Sequence, residues 1–428
     1  MAVELSRREC GKGMTLTRIY DEKFNSFGVF VRLMVPMDTD KAPVYSLVLD
    51  VLATSTRRYP EKEQLSKALC ELYSAGITSN GARLCDYYSL MISLNCLCDE
   101  YTIGKENISE MAVELLLDCL LDPYVENGVF SEKYLRLCRD DMLDDIDTLI
   151  NNKRRYASII AGKYIYEGEK SAISPFDYRD TVENVTPASA FEAYKELLRT
   201  AYIEIAVTGG KCSEKAIDML INRLDSLDRE PISIDKYGLP SPLKPEVCRK
   251  TEYTEARQCQ LLMAYKTENY NEYASKLFVS MLGANPMSKL FMNVREKMSL
   301  CYYCDAMIND LKNVILVTSG LDAENLELAE NAVEEQLRAI QNGEFTDEEL
   351  ENTKLYLRES YLSNYDSKFE ICAWMNYQFI RGSDDTPEIK GAKISAVTRE
   401  ELIREAKGYK LDTVFVLRPE EGGAADEA

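Results

Sequence analysis

The chain has 428 residues, 46% of them hydrophobic and 29% charged, and carries a net charge of −21. That length and apolar content suffice for two or more buried cores, and so acidic a chain repels a phosphate backbone, which disfavours nucleic-acid binding. It contains no histidine, which removes Ser-His-Asp triads, Cys-His pairs, His-ligated zinc and haem together.

The first residues, MAVELSRRECGKGM, have no apolar core, so no secretory signal is expected there. No apolar run approaches the roughly 20 residues that span a bilayer. Thirteen scattered cysteines, an odd number, point to reduced thiols in a cytoplasmic protein rather than to a disulfide framework.

Along the chain, Val29–Val35 reads as a strand and Val44–Leu52 as the apolar helix after it. Phe130-Ser-Glu-Lys-Tyr-Leu-Arg places a Ser N-cap and acidic residues at the start of a long amphipathic helix. Val185-Thr-Pro-Ala-Ser-Ala-Phe opens another helix, followed by the strand Tyr202–Val207 and a Gly209-Gly210 turn. Three prolines between Arg229 and Cys248 break any regular element there and mark a linker.

Beyond the linker the order repeats. Gln260–Tyr265 is a strand before an apolar helix, Tyr273–Leu282. Phe345-Thr-Asp-Glu-Glu-Leu-Glu echoes the segment at Phe130, with Leu350, Leu357 and Tyr361 on one helical face. Val397-Thr-Arg-Glu-Glu-Leu-Ile and the strand Asp412–Leu417 echo the segment at Val185, at nearly the same offset. The reading is a duplicated α+β fold, each half a mostly antiparallel sheet with helices over one face. The expected boundaries are 1–228 for the first domain, 229–248 for the linker, 249–420 for the second domain and 421–428 for a disordered tail.

Asn285-Pro-Met-Ser-Lys-Leu-Phe-Met-Asn-Val-Arg-Glu-Lys-Met-Ser-Leu-Cys-Tyr-Tyr resembles the signature of the M16 (insulinase, pitrilysin-like) peptidases. With the duplication, the resemblance covers nearly the whole chain. It implies two halves of the LuxS/MPP-like metallopeptidase type.

Active M16 proteins carry His-x-x-Glu-His on the helix after the first strands. A spacing of four sets both imidazoles on one helical face, and the Glu activates a zinc-bound water. Here the matching positions are Ser46 and Asp50 for the histidines and Leu49 for the glutamate. The distal ligand position falls on Cys138, with Asp140 and Asp141 beside it as alternatives. The resemblance therefore implies no zinc, no other cofactor and no hydrolysis by this chain alone. The family's Arg and Tyr, seven residues apart in the C-terminal half, match Arg295 and Tyr302. Their donors suit a substrate carbonyl that gains charge during attack, although an ordinary ion pair and a packed aromatic would show the same spacing.

Some M16 peptidases divide zinc motif and Arg/Tyr pair between two chains. The resemblance implies the second role: a non-catalytic subunit of a heterodimer, with a zinc-bearing partner, a peptide or protein substrate and no membrane. A homodimer is the assembly left open to the isolated chain, whose oligomeric state the sequence does not give. Within that class the sequence resembles the members associated with modification of elongation factor P, and a non-proteolytic scaffold or peptide-binding role in such a complex is the alternative.

Two signals stay outside this pattern. Cys301-Tyr-Tyr-Cys304 is a C-x-x-C, but a continuous strand there would turn its thiols to opposite faces, so these cysteines, like Cys96 and Cys98, are expected to be small buried hydrophobes. No nucleotide-binding glycine motif is present.

Overall fold

A computed structural model describes residues 3–84, 86–234 and 239–420. The proposed tail, 421–428, lies outside the described residues, as does part of the linker. In the first half the strands are β1 (Glu4–Gly11), β2 (Met14–Tyr20), β3 (Ser26–Pro36), β4 (Gly76–Leu84) and β5 (Tyr87–Leu97). A two-residue ribbon, β6 (Val125–Glu126) with β7 (Val129–Phe130), and β8 (Tyr202–Gly209) complete it. The second half has β9 (Cys248–Thr254), β10 (Cys259–Lys266), β11 (Tyr303–Asn309), β12 (Val314–Leu321) and β13 (Lys410–Pro419).

The duplication is written into strand order. The first sheet runs β1-β2-β8-β3-β5-β4 and the second β11-β12-β10-β13-β9. Matching β3 with β10, β5 with β12, β4 with β11, β8 with β13 and β2 with β9 superposes the two orders, with β1 as the addition. Each sheet is antiparallel except for one pair, β2 with β8 and β13 with β9. The α+β class and the two sheet-bearing halves are as the sequence indicates.

The helix starts follow local chemistry. Thr186, Thr346 and Thr398 each close a capping box, with Ser189, Glu349 and Glu401 as partners. Ser131 differs: its hydroxyl is buried without a hydrogen-bond partner, so the helix Glu132–Thr148 starts without the side-chain cap expected from its sequence.

The sheets are covered on both faces, not one. Along β3, nine consecutive residues, Phe27–Val35, are buried, and β10 is buried throughout. The first compact unit comprises the described parts of Met1–Asp147, Pro175–Lys236 and Tyr365–Ile380; the second comprises Thr148–Ser174, Tyr237–Asn364 and the described part of Arg381–Ala428. Each half thus contributes a helix to the other half's sheet, a division that sequence boundaries at 228 and 249 do not follow.

In the first unit the borrowed helix, Lys368–Ile380, lies on the Phe30 and Arg32 face of β3. Phe369 packs edge-on against Phe30 at 5.5 Å, and Asn376 donates to Glu204, which also holds Arg32 at 2.7 Å. Lys368 Nζ donates to Ser26 Oγ at 2.6 Å, and Thr208 Oγ1 donates to the Lys368 carbonyl at 3.0 Å. In the second unit the borrowed helix is Lys153–Ile165. Tyr164 stacks on Phe415 at 5.8 Å and donates to Glu252 at 2.6 Å, while Lys266 Nζ donates to the Ile165 carbonyl at 2.8 Å. The opposite face of the second sheet is an aliphatic core that includes Leu261, Met263, Phe278, Leu282 and Val317.

Glu204 is 2% exposed and Arg32 10%, so the pair is a buried one, and removing Arg32 takes the nearest cation from Glu204, leaving it Asn376 and, at 3.9 Å, Arg7. Arg32→Met is expected to destabilise the protein by about 3 kcal/mol, read as a lower urea midpoint. A midpoint within error of wild type would show that Glu204 is satisfied without it.

Candidate functional site

Two groups of residues were singled out by sequence, one in each unit. The first sits on the helix Ala42–Leu52, which starts with a proline in its first turn and buries nearly every residue. Ser46 and Asp50, one turn apart, share the face turned to β4 and β5. Ser46 Oγ is 2.8 Å from the Tyr88 hydroxyl, and Ser79 Oγ donates to Asp50 Oδ1 at 2.7 Å. Helix and strand approach so closely that a Cβ on Gly81 would lie 2.1 Å from Ser46 Oγ; only glycine fits there. Leu49 is fully buried.

Cys138, on the helix Glu132–Thr148, is buried, and its thiol is pushed up to about 12, first by burial and then by the charges of Asp50 and Asp141. Burial also raises the Asp50 carboxyl above its ordinary value, with Asp145 and Asp141 adding and the Ser79 hydrogen bond opposing. The structure therefore brings Ser46, Asp50 and Cys138 into one neighbourhood and leaves Leu49 in the core.

This donor set does not suit a transition metal. Ligation needs a thiolate, whereas this thiol holds its proton at neutral pH. The hydroxyl and the carboxylate are already hydrogen-bonded to the strands. Among the described residues no three His, Cys, Asp or Glu side chains are grouped to hold a metal ion. The sequence did not point to Ser79, Tyr88 or Gly81, because their roles come from strand pairing.

The second group lies where Leu290–Lys297 forms a π-helix, seen in the i→i+5 bond from Met298 N to the Asn293 carbonyl at 2.9 Å. Ser299 then takes φ +52° and turns the chain, and Tyr302 N donates to the Gly320 carbonyl at 2.8 Å as β11 begins. Arg295 stacks 4.6 Å over Phe291 and has Glu296 at 3.6 Å; its side chain is 39% exposed. Tyr302 is 53% exposed, and its hydroxyl lies 3.1 Å from both oxygens of Asp322. That hydrogen bond raises the phenol pKa above its ordinary value. Both side chains are accessible, and each already has a neighbour of opposite charge or an acceptor.

Residues 184–357 match the model of the peptidase M16 inactive domain. "Probable inactive metalloprotease YmfF" of Bacillus subtilis (strain 168) is 23% identical over 416 residues, 96% of this chain and 97% of its own. The chain is thus similar to M16 peptidase-like proteins, over residues 184–357 to the family's inactive domain and over most of its length to an inactive relative. A conserved protein from Enterococcus faecalis V583 is 26% identical with a TM-score of 0.88, covering 97% of this chain and 99% of its own. A peptidase M16 inactive domain from Pseudomonas fluorescens shares the fold at 17% identity and TM-score 0.78, over 97% and 98% of the two chains. A protease from Helicobacter pylori does so at 14% identity and TM-score 0.77, over 97% and 100%.

The raised Asp50 carboxyl carries a pH signature. A raised folded-state value favours the folded protein while the group is protonated and penalises it once ionised. Asp50→Asn keeps an acceptor for Ser79 and removes that penalty. The variant is expected to be more stable than wild type at neutral pH, by on the order of 1 kcal/mol. The gain should shrink as pH falls to about 4, where the unfolded-state carboxyl also protonates. Urea midpoints across that range test this; a gain independent of pH, or a loss at neutral pH, contradicts the assignment.

Proposed function

We propose that this chain is the non-catalytic subunit of a two-chain M16-type zinc metallopeptidase, completing its peptide-binding chamber and presenting Arg295 and Tyr302 to substrate held at a partner's zinc. The observation that carries the reading is the asymmetry between the two groups. At the positions that the resemblance assigns to the zinc motif, this chain has a hydroxyl and a carboxylate hydrogen-bonded to its own strands and a buried leucine. The Arg/Tyr spacing persists, with both side chains exposed.

Chemically, a guanidinium and a phenol are donors without a nucleophile. They serve a developing oxyanion only if another group delivers the attacking water. Tyr302 would exchange its bond to Asp322 for one to the substrate carbonyl. The strand β4 also supports a peptide-binding role: it ends its sheet, most of its residues are at the surface, and it lies beside the altered helix. An unpaired strand edge accepts an extended peptide through main-chain hydrogen bonds.

A non-proteolytic scaffold, including one in an elongation factor P modification complex, is the second reading. What favours it is that Arg295 and Tyr302 already have partners on their own chain, Glu296 and Asp322. The cytoplasm is the proposed compartment, in keeping with cysteines that are free throughout the described residues.

The test mixes the chain with an M16 chain that carries His-x-x-Glu-His and follows peptide turnover. Arg295→Ala is expected to lower kcat by roughly 10²–10³-fold, the range for removing one oxyanion donor, and Tyr302→Phe to lower it in the same direction. Turnover unchanged by Arg295→Ala, or no turnover in the mixture at all, would favour the scaffold.

A further inference from the structure

Between the turn at 285–289, the π-helix Leu290–Lys297 and the helix Asp347–Leu362 runs a groove of about 490 Å³, within the roughly 300–1,000 Å³ of ligand pockets. A saturated ion pair closes its base. Glu349 completes the capping box with Thr346 through one oxygen and takes Lys289 Nζ at 3.0 Å on the other. Asn285 shapes the turn. Its side-chain amide donates to the Ser280 carbonyl at 2.6 Å, and its side-chain carbonyl accepts from Met287 N at 2.7 Å, an Asx turn that presents Met287 to solvent.

The two walls differ in chemistry. On the side of the turn and π-helix stand Met287, 71% exposed, and Met292, 39% exposed. An apolar wall left in water marks an interaction surface. On the other side Glu348, Asn352 and Tyr356 follow one another at helical spacing along one exposed face. Among the described residues, these three side chains make no hydrogen bond or ion pair. The cations bonded to this helix are already taken: Lys289 by Glu349 at 3.0 Å, Lys354 by Glu351 at 2.9 Å and Arg399 by Asp347 at 2.9 Å. Glu348 is left as the carboxylate of the groove without a counter-ion.

We infer that this groove docks a peptide segment of a partner protein in which a lysine or arginine stands beside a large apolar side chain. The thioethers of Met287 and Met292, soft and conformationally adaptable, receive the apolar group. Tyr356 offers its ring to the aliphatic stem or to the cation, and Glu348 takes the charge. Asn352, between them in sequence, has both donors and an acceptor for the segment's backbone.

Charge selects this occupant over two others. A second copy of the chain brings a net charge of −21 to an acidic wall. Residues 421–428, EGGAADEA, offer neither a cation nor a large apolar group. Neither Arg295 nor Tyr302 lines the groove, so docking there stands apart from the peptidase reading.

The experiment selects binders to the immobilised full chain from a library of random short peptides and measures the Kd of the enriched sequences by fluorescence anisotropy. Enrichment of peptides that place Lys or Arg next to Leu, Ile, Met or Phe is the expected result, with binding that weakens as salt is added. Glu348→Lys should raise Kd roughly tenfold, and Met287→Ser combined with Met292→Ser should raise it in the same direction. Glu327→Lys, a charge reversal outside the groove, should leave it unchanged. Urea midpoints of the variants separate docking from a merely structural role, since a first-turn glutamate that serves only the helix dipole would move stability and not Kd. No enrichment, enriched peptides without a cation, or equal losses in Glu348→Lys and Glu327→Lys would overturn the inference. So would a concentration-dependent dimer abolished by the paired methionine substitutions, which would assign the groove to a second copy.

Discussion

A central strand buried on both faces is the constraint from which the architecture follows. β3 and β10 each need cover above and below, and one half of the chain provides apolar cover for only one face of its own sheet. The other face carries charge: Arg32 and Glu204 on the first sheet, Lys266 and Asp412 on the second. Buried charges are tolerated only with a full set of partners. The borrowed helices contribute to that set, through Asn376 to Glu204 and through the Ile165 carbonyl to Lys266. A half cut at the linker would keep its own strands yet lose the cover and some of the hydrogen bonds of its polar face. The duplication is therefore one of sequence and strand order, whereas folding is shared.

The legible part of this fold was the local part. Strand and helix periodicity, the capping boxes at Thr186, Thr346 and Thr398, and the recurrence of one strand–helix order all sit within short windows and depend on near neighbours. The exchange of helices had no such signal. Lys368–Ile380 mixes apolar residues with Lys368, Asn376 and Gln378, all buried, and nothing local says that Lys368 and Asn376 are matched by residues of the first half. Ser131 errs in the opposite direction, looking like a cap in sequence and making no hydrogen bond in the fold.

The same division runs through the candidate site. The residue types at positions 46, 49, 50 and 138 were readable. Their partners were not, because Ser79, Tyr88 and Gly81 come from strands whose register brings them to the helix. The two hydrogen bonds across that contact, with burial of Leu49, fix the helix against the sheet. Polar atoms on a buried helix face are satisfied in this way by the strands it packs on.

The segment from Leu290 to Cys304 departs from regular backbone at several points in succession. Helical hydrogen bonds widen to i→i+5, a non-glycine residue takes φ +52°, and the chain bends before joining β11. Each of these costs free energy that a regular helix–turn–strand would not. What they achieve is specific. They set Arg295 and Tyr302 at the surface. If stability alone governed this segment, an unstrained connection would serve better, so the strain is best understood as the cost of holding these side chains where they stand.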